Sequence, residues 1–178
     1  MSRLMIFGKN VPIVEQESKR DSVQLENNRI LISSYKRPVD SLLRSFLADL
    51  LYFQLLSIYD QIKREGKVEV FGDLDFEIVE KIDNKKQRVA KLKGNKILVK
   101  LNAVALPKSV LRYVVAHEIA HTFTKRHTKK FWKTVELMCP DFEETRRLLT
   151  KCAHCITDES MLRVSLHKAL DRAGKNDL

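Results

Sequence analysis

The sequence predicts an α+β domain in which an antiparallel or mixed sheet packs against one buried helix and is covered by further helices. Three observations carry this expectation. Residues 4–34 and 68–101 fall into short runs rich in β-branched and aromatic residues, separated by turn-forming Gly and Asn. Residues 40–65 keep apolar side chains at helical spacing over seven turns. From Val110 to Phe123 apolar residues occupy nearly every face of a helical projection, and the polar exceptions include His117, Glu118 and His121.

The composition fits such a domain. The 178 residues are 44% hydrophobic and 31% charged, with five Gly and four Pro, which excludes a disordered or low-complexity chain. A chain of this length buries roughly 70% of its unfolded surface and needs no structural metal to fold. The net charge of +10 implies a basic surface and an attraction to nucleic acid or acidic partners. Eight cations between Lys81 and Lys100 face one acid, Asp83, and residues 125–133 add Lys125, Arg126, Lys129, Lys130 and Lys133. No nucleic-acid reading motif accompanies them, so a solvated basic face explains them equally well. The N-terminal residues have no long apolar core or small-residue cleavage site, and residues 42–59 are interrupted by Arg44 and Asp49; no signal peptide or membrane span is expected. Three cysteines argue for thiols or metal ligands rather than a disulfide framework, and the expected compartment is the cytoplasm.

In chain order, Leu4–Phe7, Pro12–Gln16, Ser22–Glu26 and Ile30–Ser33 read as strands, with Gly8-Lys9-Asn10 and Asn27-Asn28 supplying turns, and are expected to form antiparallel hairpins. Asp40 can cap the long helix, whose stripe of Leu43, Leu47, Leu50, Leu51, Leu55, Ile58 and Ile62 runs until Gly66 ends it. Val68–Phe71, Phe76–Val79, Val89–Leu92 and Ile97–Leu101 return to strand character, the last two joined at Gly94-Asn95. Pro107 sits in the first turn of the buried helix, expected to end near Phe123 or Thr124. Thr128 caps a short helix carrying Phe131, Trp132, Val135 and Met138, Pro140 ends it, and Asp141 with Glu144 opens the next. A final amphipathic helix is expected over about residues 159–172. The organisation read from this is one domain over residues 1–156 with a helical extension over 157–178.

The chemistry lies in the buried helix. His117 and His121 are one turn apart on one face, and Glu118 lies about 60° round from His121, beside a shared metal rather than on it. A chance H-E-x-x-H in a chain of this length arises on the order of once in 200 sequences. Zinc held by three protein ligands keeps a fourth position for water and brings that water's pKa to about 7, where a neighbouring Glu can take its proton. Burying two imidazoles and a carboxylate is costly unless each is satisfied, and a metal with its water would satisfy all three. The pattern predicts a zinc hydrolase, with His117 and His121 as ligands and Glu118 as general base.

His127 is the candidate third ligand. On an unbroken helix it would stand about 15 Å beyond His117, too far for one zinc. The helix must therefore end and the chain fold back through Lys125-Arg126. Glu136, Glu143 and Glu144 are rival third ligands at this level.

The same stretch resembles the YgjP-type zinc metallopeptidases, small relatives of the SprT-like proteases. The matching residues are His117-Glu118-Ile119-Ala120-His121, then His127-Thr128-Lys129-Lys130-Phe131-Trp132, then Cys139-Pro140-Asp141-Phe142 and Arg146-Arg147-Leu148-Leu149. Leu101-Asn102 ahead of Pro107 and Tyr113-Val114-Val115 fit as well. The resemblance is specific over about residues 96–151. It implies a zincin-like fold, zinc ligands at His117, His121 and His127, Glu118 as general base, and peptide-bond hydrolysis on a peptide or protein substrate. Where such families carry a Trp-Gly-Ser-Cys type strand, this chain has Arg88-Val89-Ala90-Lys91, so its cleft lining is its own. The histidine spacing equals that of metzincins, but Thr124 stands at their glycine position, and their turn is not carried over.

Several expectations remain. Tyr113, one turn before His117, is a candidate oxyanion donor or a satisfied core tyrosine. The strand Ile97–Leu101 is the candidate edge for pairing a substrate strand. Cys152-Ala153-His154-Cys155, with Cys139, is a weak candidate for a second metal site against a default of ordinary thiols. Rival functions are a protease or binding protein acting on protein-DNA adducts, and a zinc protein without turnover.

Overall fold

The computed structural model describes residues 2–70 and 72–157, with the side chains of 153–157 left aside. Its first sheet comprises β1 (Arg3–Ile6), β2 (Lys9–Glu15), β3 (Ser22–Glu26) and β4 (Arg29–Ser33), in the order β1-β2-β4-β3. The expected turns are present: Phe7 and Gly8 link β1 to β2, and Asn27 and Asn28, both left-handed, close the β3–β4 hairpin. Both expected antiparallel hairpins form, but they join into a mixed sheet rather than an antiparallel one, because β2 and β4 run parallel, with Ile13 opposite Ile30. Burial accounts for this. Ile30 and Ile32 are 0% and 1% exposed whereas β3 is almost wholly exposed, so the hairpin docks with its apolar strand inside and its polar strand at the edge.

Helix α1 (Val39–Glu65) starts directly after Pro38. Asp40 does not cap it; its carboxylate instead accepts from Arg44 Nε at 2.9 Å. Gly66, left-handed at φ 62°, ends it by donating its N–H to the Lys63 carbonyl. By length and composition α1 is long and apolar enough to cross a bilayer, with a mean hydropathy of 1.3 in its most apolar window. Its Leu43, Leu47, Leu51, Leu55 and Ile62 are instead core residues, and the helix contacts both sheets.

The second sheet holds β5 (Asp75–Val79), β6 (Ala90–Lys93) and β7 (Lys96–Lys100) in the order β5-β7-β6. Residues 68–70 form no strand, contrary to expectation. Gly94 and Asn95 turn β6 into β7 as the sequence indicates. β7 pairs with β5 on one side and β6 on the other, so the Ile97–Leu101 run cannot be a free edge; the edges are β5 and β6, and β6 is the one beside α2 (Lys108–Ala120). Ile97 and Val99 are 0% exposed, and only a central position buries them fully.

A 3₁₀ turn over Leu101–Ala105 leads into α2 (Lys108–Ala120). The β1–β2 turn fixes this entry, with the Phe7 and Gly8 amides donating to the carbonyls of Val104 and Ala105 at 2.8 and 3.1 Å. Gly8 lies so close to Pro107 that a Cβ there would stand 3.1 Å from the proline ring. α2 is buried among α1, β6, α3 (Lys129–Met138) and α4 (Phe142–Thr157). The helix expected over 159–172 lies outside the described residues.

Candidate metal centre

Helix α2 ends at Ala120, about a turn earlier than the periodicity predicts. The tightened bonds of its last residues explain the stop: Thr122 and Phe123 amides donate three residues back, to Ile119 and Ala120, and Thr122 Oγ1 also takes the Ile119 carbonyl at 2.7 Å. The chain then reverses through Lys125 and Arg126, and Thr128 restarts it as α3 by accepting from the Phe131 amide. This bend is the fold-back required to bring His127 beside the helix.

His117, His121 and His127 come together, their ligand atoms all within 4.8 Å of one another. Nε2 of His121 and Nε2 of His127 are 3.2 Å apart, close to the roughly 3.4 Å separating two nitrogens on one tetrahedral zinc. His121 Nδ1 lies 3.2 Å from the Thr124 carbonyl, which can only accept, so Nδ1 carries the proton and Nε2 keeps its lone pair. His117 Nδ1 faces the Tyr113 hydroxyl at 3.5 Å. Glu136, Glu143 and Glu144 are exposed and do not belong to the cluster.

Phe131 is the floor of this arrangement. Its ring is 0% exposed and its centroid lies 4.7 to 4.9 Å from all three imidazoles. Trp132 packs beside it, stacked on Phe142 and covered by the Arg146 guanidinium.

The electrostatics favour the neutral form of His117 and His127. Burial, then the neighbouring His121 and His127, then Arg146, hold His117 down to about 3. Burial and then His121 and Arg146 also lower His127. Unprotonated imidazoles are what a transition metal requires, and this donor set suits zinc, copper, iron or nickel. The residues present therefore fit a metal ion.

Glu118 is 8% exposed. Its Oε2 accepts from the Leu92 backbone N–H at 2.8 Å, which ties the carboxylate to the edge strand β6. Burial raises its pKa, while the Leu92 bond, His121 and Arg88 pull it back. A carboxylate both desolvated and hydrogen-bonded on one oxygen is suited to moving a proton. Tyr113 is 4% exposed and burial raises its hydroxyl pKa, so it remains a neutral donor.

A cleft of about 1030 Å³ opens over the imidazoles. Its lining includes His117, Glu118, His121, His127, Tyr113, β6 and the loop leading into it from Lys85. Sequence reasoning gave no role to two parts of this centre, the Leu92 amide and the wedge formed by Phe131. Every residue has an amide, so nothing in the sequence marks Leu92; Phe131 was visible as an apolar helix residue and as part of the His127–Trp132 stretch that carries the family resemblance, with no role attached. Cys139 and Cys152 are free thiols, and the side chains of His154 and Cys155 lie outside the described residues.

No curated protein and no solved structure matches the chain significantly. The family model described as the YgjP-like metallopeptidase domain matches residues 1–152, nearly all of the described fold including the three imidazoles and Glu118, and on that match the chain belongs to the YgjP-like family.

Proposed function

We propose that the protein is a zinc-dependent peptide-bond hydrolase with the zincin arrangement, in which His117, His121 and His127 hold the metal and Glu118 is the general base. The observation that carries this reading is the convergence of three imidazoles with a buried carboxylate on the neighbouring helical position. Zinc in that position supplies Lewis acidity to the attacking water and the scissile carbonyl.

The chain's own groups do the rest. Glu118 takes the proton of the attacking water and delivers it to the departing amine, so one carboxylate serves as base and then acid. The Leu92 amide restrains one of its oxygens and leaves the other free for this transfer. Phe131 and Thr124 set the imidazole orientations from below and from the side. Tyr113 lines the cleft beside His117 and is the candidate donor to the developing oxyanion. The extended substrate pairs with the free edge of β6, the strand bordering α2. The two free thiols support a reducing, cytoplasmic compartment.

Binding to nucleic acid, as in a protease acting on protein-DNA adducts, is the second reading. It is favoured by Lys85, Lys86 and Lys125, which have no carboxylate partner among the described residues. Steep loss of DNA affinity with salt is its signature.

The deciding experiment combines metal analysis with turnover. The reading requires one zinc per chain in a shell of three imidazoles, and cleavage of a peptide substrate that Glu118→Gln lowers by roughly 100-fold or more without loss of metal. A zinc-loaded protein that cleaves no peptide, or a Glu118→Gln variant as active as the parent, overturns it.

A further inference from the structure

The wall of the cleft formed by β6 and the loop before it is strongly cationic. Lys85, Lys86, Arg88 and Lys91 line it, and Lys125, in the bend before His127, lines the same cleft. Glu118 shares the lining and interacts with Arg88, but among the described residues the acid ion-paired with this group is Asp83, which accepts from Arg88 at 2.7 Å and from Lys91 at 2.6 Å. It is not part of the lining, and it is shared between two cations. Lys85, Lys86 and Lys125 have exposed ammonium groups with no ion-pair partner among the described residues.

The wall is also built rather than incidental. Lys100, on the central strand β7, is 7% exposed, and its Nζ donates to the carbonyls of Lys85 and Lys86 at 2.8 and 2.9 Å. A buried amine is spent on fixing the backbone that presents two further lysines to the cleft. Burial lowers the pKa of that amine. Holding like charges together in this way disfavours the empty cleft and favours one filled by negative charge.

Geometry selects the kind of anion. The ladder alternates, so Lys91 and Lys93 pair toward β7 while the backbone of Ala90 and Leu92 faces the free edge. The Leu92 N–H is already given to Glu118, so an extended peptide can pair through the outward groups of Ala90 and the Leu92 carbonyl, with its side chains beside Arg88 and Lys91. A single nucleic-acid strand needs aromatic faces on which bases stack, and apart from the histidines the one aromatic ring in this lining is Tyr113, which is 4% exposed.

We propose that the cleft selects peptides carrying Asp or Glu beside the scissile bond, recognised by Lys85, Lys86, Arg88, Lys91 and Lys125. The proposal rests on the peptidase reading for the word substrate, but its charge preference is measurable without turnover.

The test uses the full chain loaded with zinc and three peptide pools, acidic, neutral and basic around a common central sequence. In low salt, kcat/KM for the acidic pool is expected to exceed that for the neutral pool about tenfold, and the advantage shrinks in 1 M salt. Lys85→Glu/Lys86→Glu reverses the ranking of acidic over basic peptides. In parallel, the Glu118→Gln chain is titrated with a fluorescent acidic peptide, its neutral counterpart and single-stranded DNA. Tighter binding of the acidic peptide than of either other probe supports the proposal even if no pool is cleaved, a result that would sink the peptidase reading alone. Equal binding of acidic and neutral peptides, or faster cleavage of the basic pool, overturns the proposal and leaves the peptidase reading intact. Tighter binding of DNA than of the acidic peptide also overturns it, in favour of a nucleic-acid cleft.

Discussion

The backbone N–H of Leu92 donates to Oε2 of Glu118 at 2.8 Å, so the carboxylate beside the three imidazoles is held by the edge strand β6 of the second sheet. Edge strand and the proposed general base thereby become one mechanical unit. Leu92→Pro removes this donor without breaking a ladder bond, because the N–H points away from β7, and proline is tolerated at such an edge position. Losing a hydrogen bond to a charged group is worth about 1.5 kcal/mol, so peptide hydrolysis should fall roughly tenfold relative to Leu92→Ala, which keeps the N–H. Metal content and the far-ultraviolet dichroism should match in the two variants; equal rates would show that Glu118 works without the amide.

His127 sits in an exposed bend rather than on the buried helix, so its side chain can be removed with little effect on packing. His127→Ala should weaken zinc binding by more than the roughly 10–100-fold that loss of a supporting partner costs. Glu136→Ala and Glu143→Ala should leave zinc affinity unchanged. Competition with a chelator of known affinity reads all three, and a His127→Ala chain that binds zinc like its parent would return the third ligand to the carboxylates.

Phe131 is fully buried and touches every imidazole of the cluster. Phe131→Ala should cost about 3–5 kcal/mol of stability through the cavity it leaves. Phe131→Leu fills most of that volume and should stay folded, yet bind zinc more weakly because the rings lose their common floor. Denaturant titration paired with metal affinity separates the two effects.

The Asp21 carboxylate accepts from the amides of Tyr35 and Lys36 at 2.6 and 2.9 Å, and more distantly from Arg37. These bonds hold its pKa below the ordinary 3.8. A depressed carboxylate stabilises the fold above its unfolded pKa, and that contribution disappears as pH falls through the folded value. Asp21→Ala should therefore lower Tm at pH 7, and the gap to the parent should narrow steadily below pH 4. A gap that is independent of pH would assign the effect to something other than the ionised carboxylate.

Chelation should abolish hydrolysis without unfolding the chain, because the core formed by α1, α2 and both sheets does not depend on the metal. Saturating zinc at about 100 times its Kd should raise stability by about 2.7 kcal/mol over the apo protein. Thermal melts with and without chelator check this, and a chain that loses its helical signal on metal removal would contradict it.

Much of this was legible in the sequence. The turns at Asn27-Asn28 and Gly94-Asn95, the stop at Gly66 and the cap at Thr128 are local chemistry, and each occurs where the residues place it. The need for a bend before His127 also followed from helical rise alone. Less visible was where α2 stops. Its apolar run continues to Phe123, but the last residues switch to tighter bonding and release His121 onto the bend.

By itself, then, the sequence determined which side chains are candidates for the metal centre and which of them share a helical face, because spacing along one helix is a local property. Tertiary structure decided the parallel pairing of β2 with β4, the choice of β6 rather than β7 as the free edge, and the union of Phe131 with three imidazoles. It also decided that a backbone amide would hold Glu118 and that lysines of two distant segments would face one cleft. Those outcomes depend on which apolar strands win the central, doubly covered positions, a competition among residues far apart in the chain that leaves no local pattern to read.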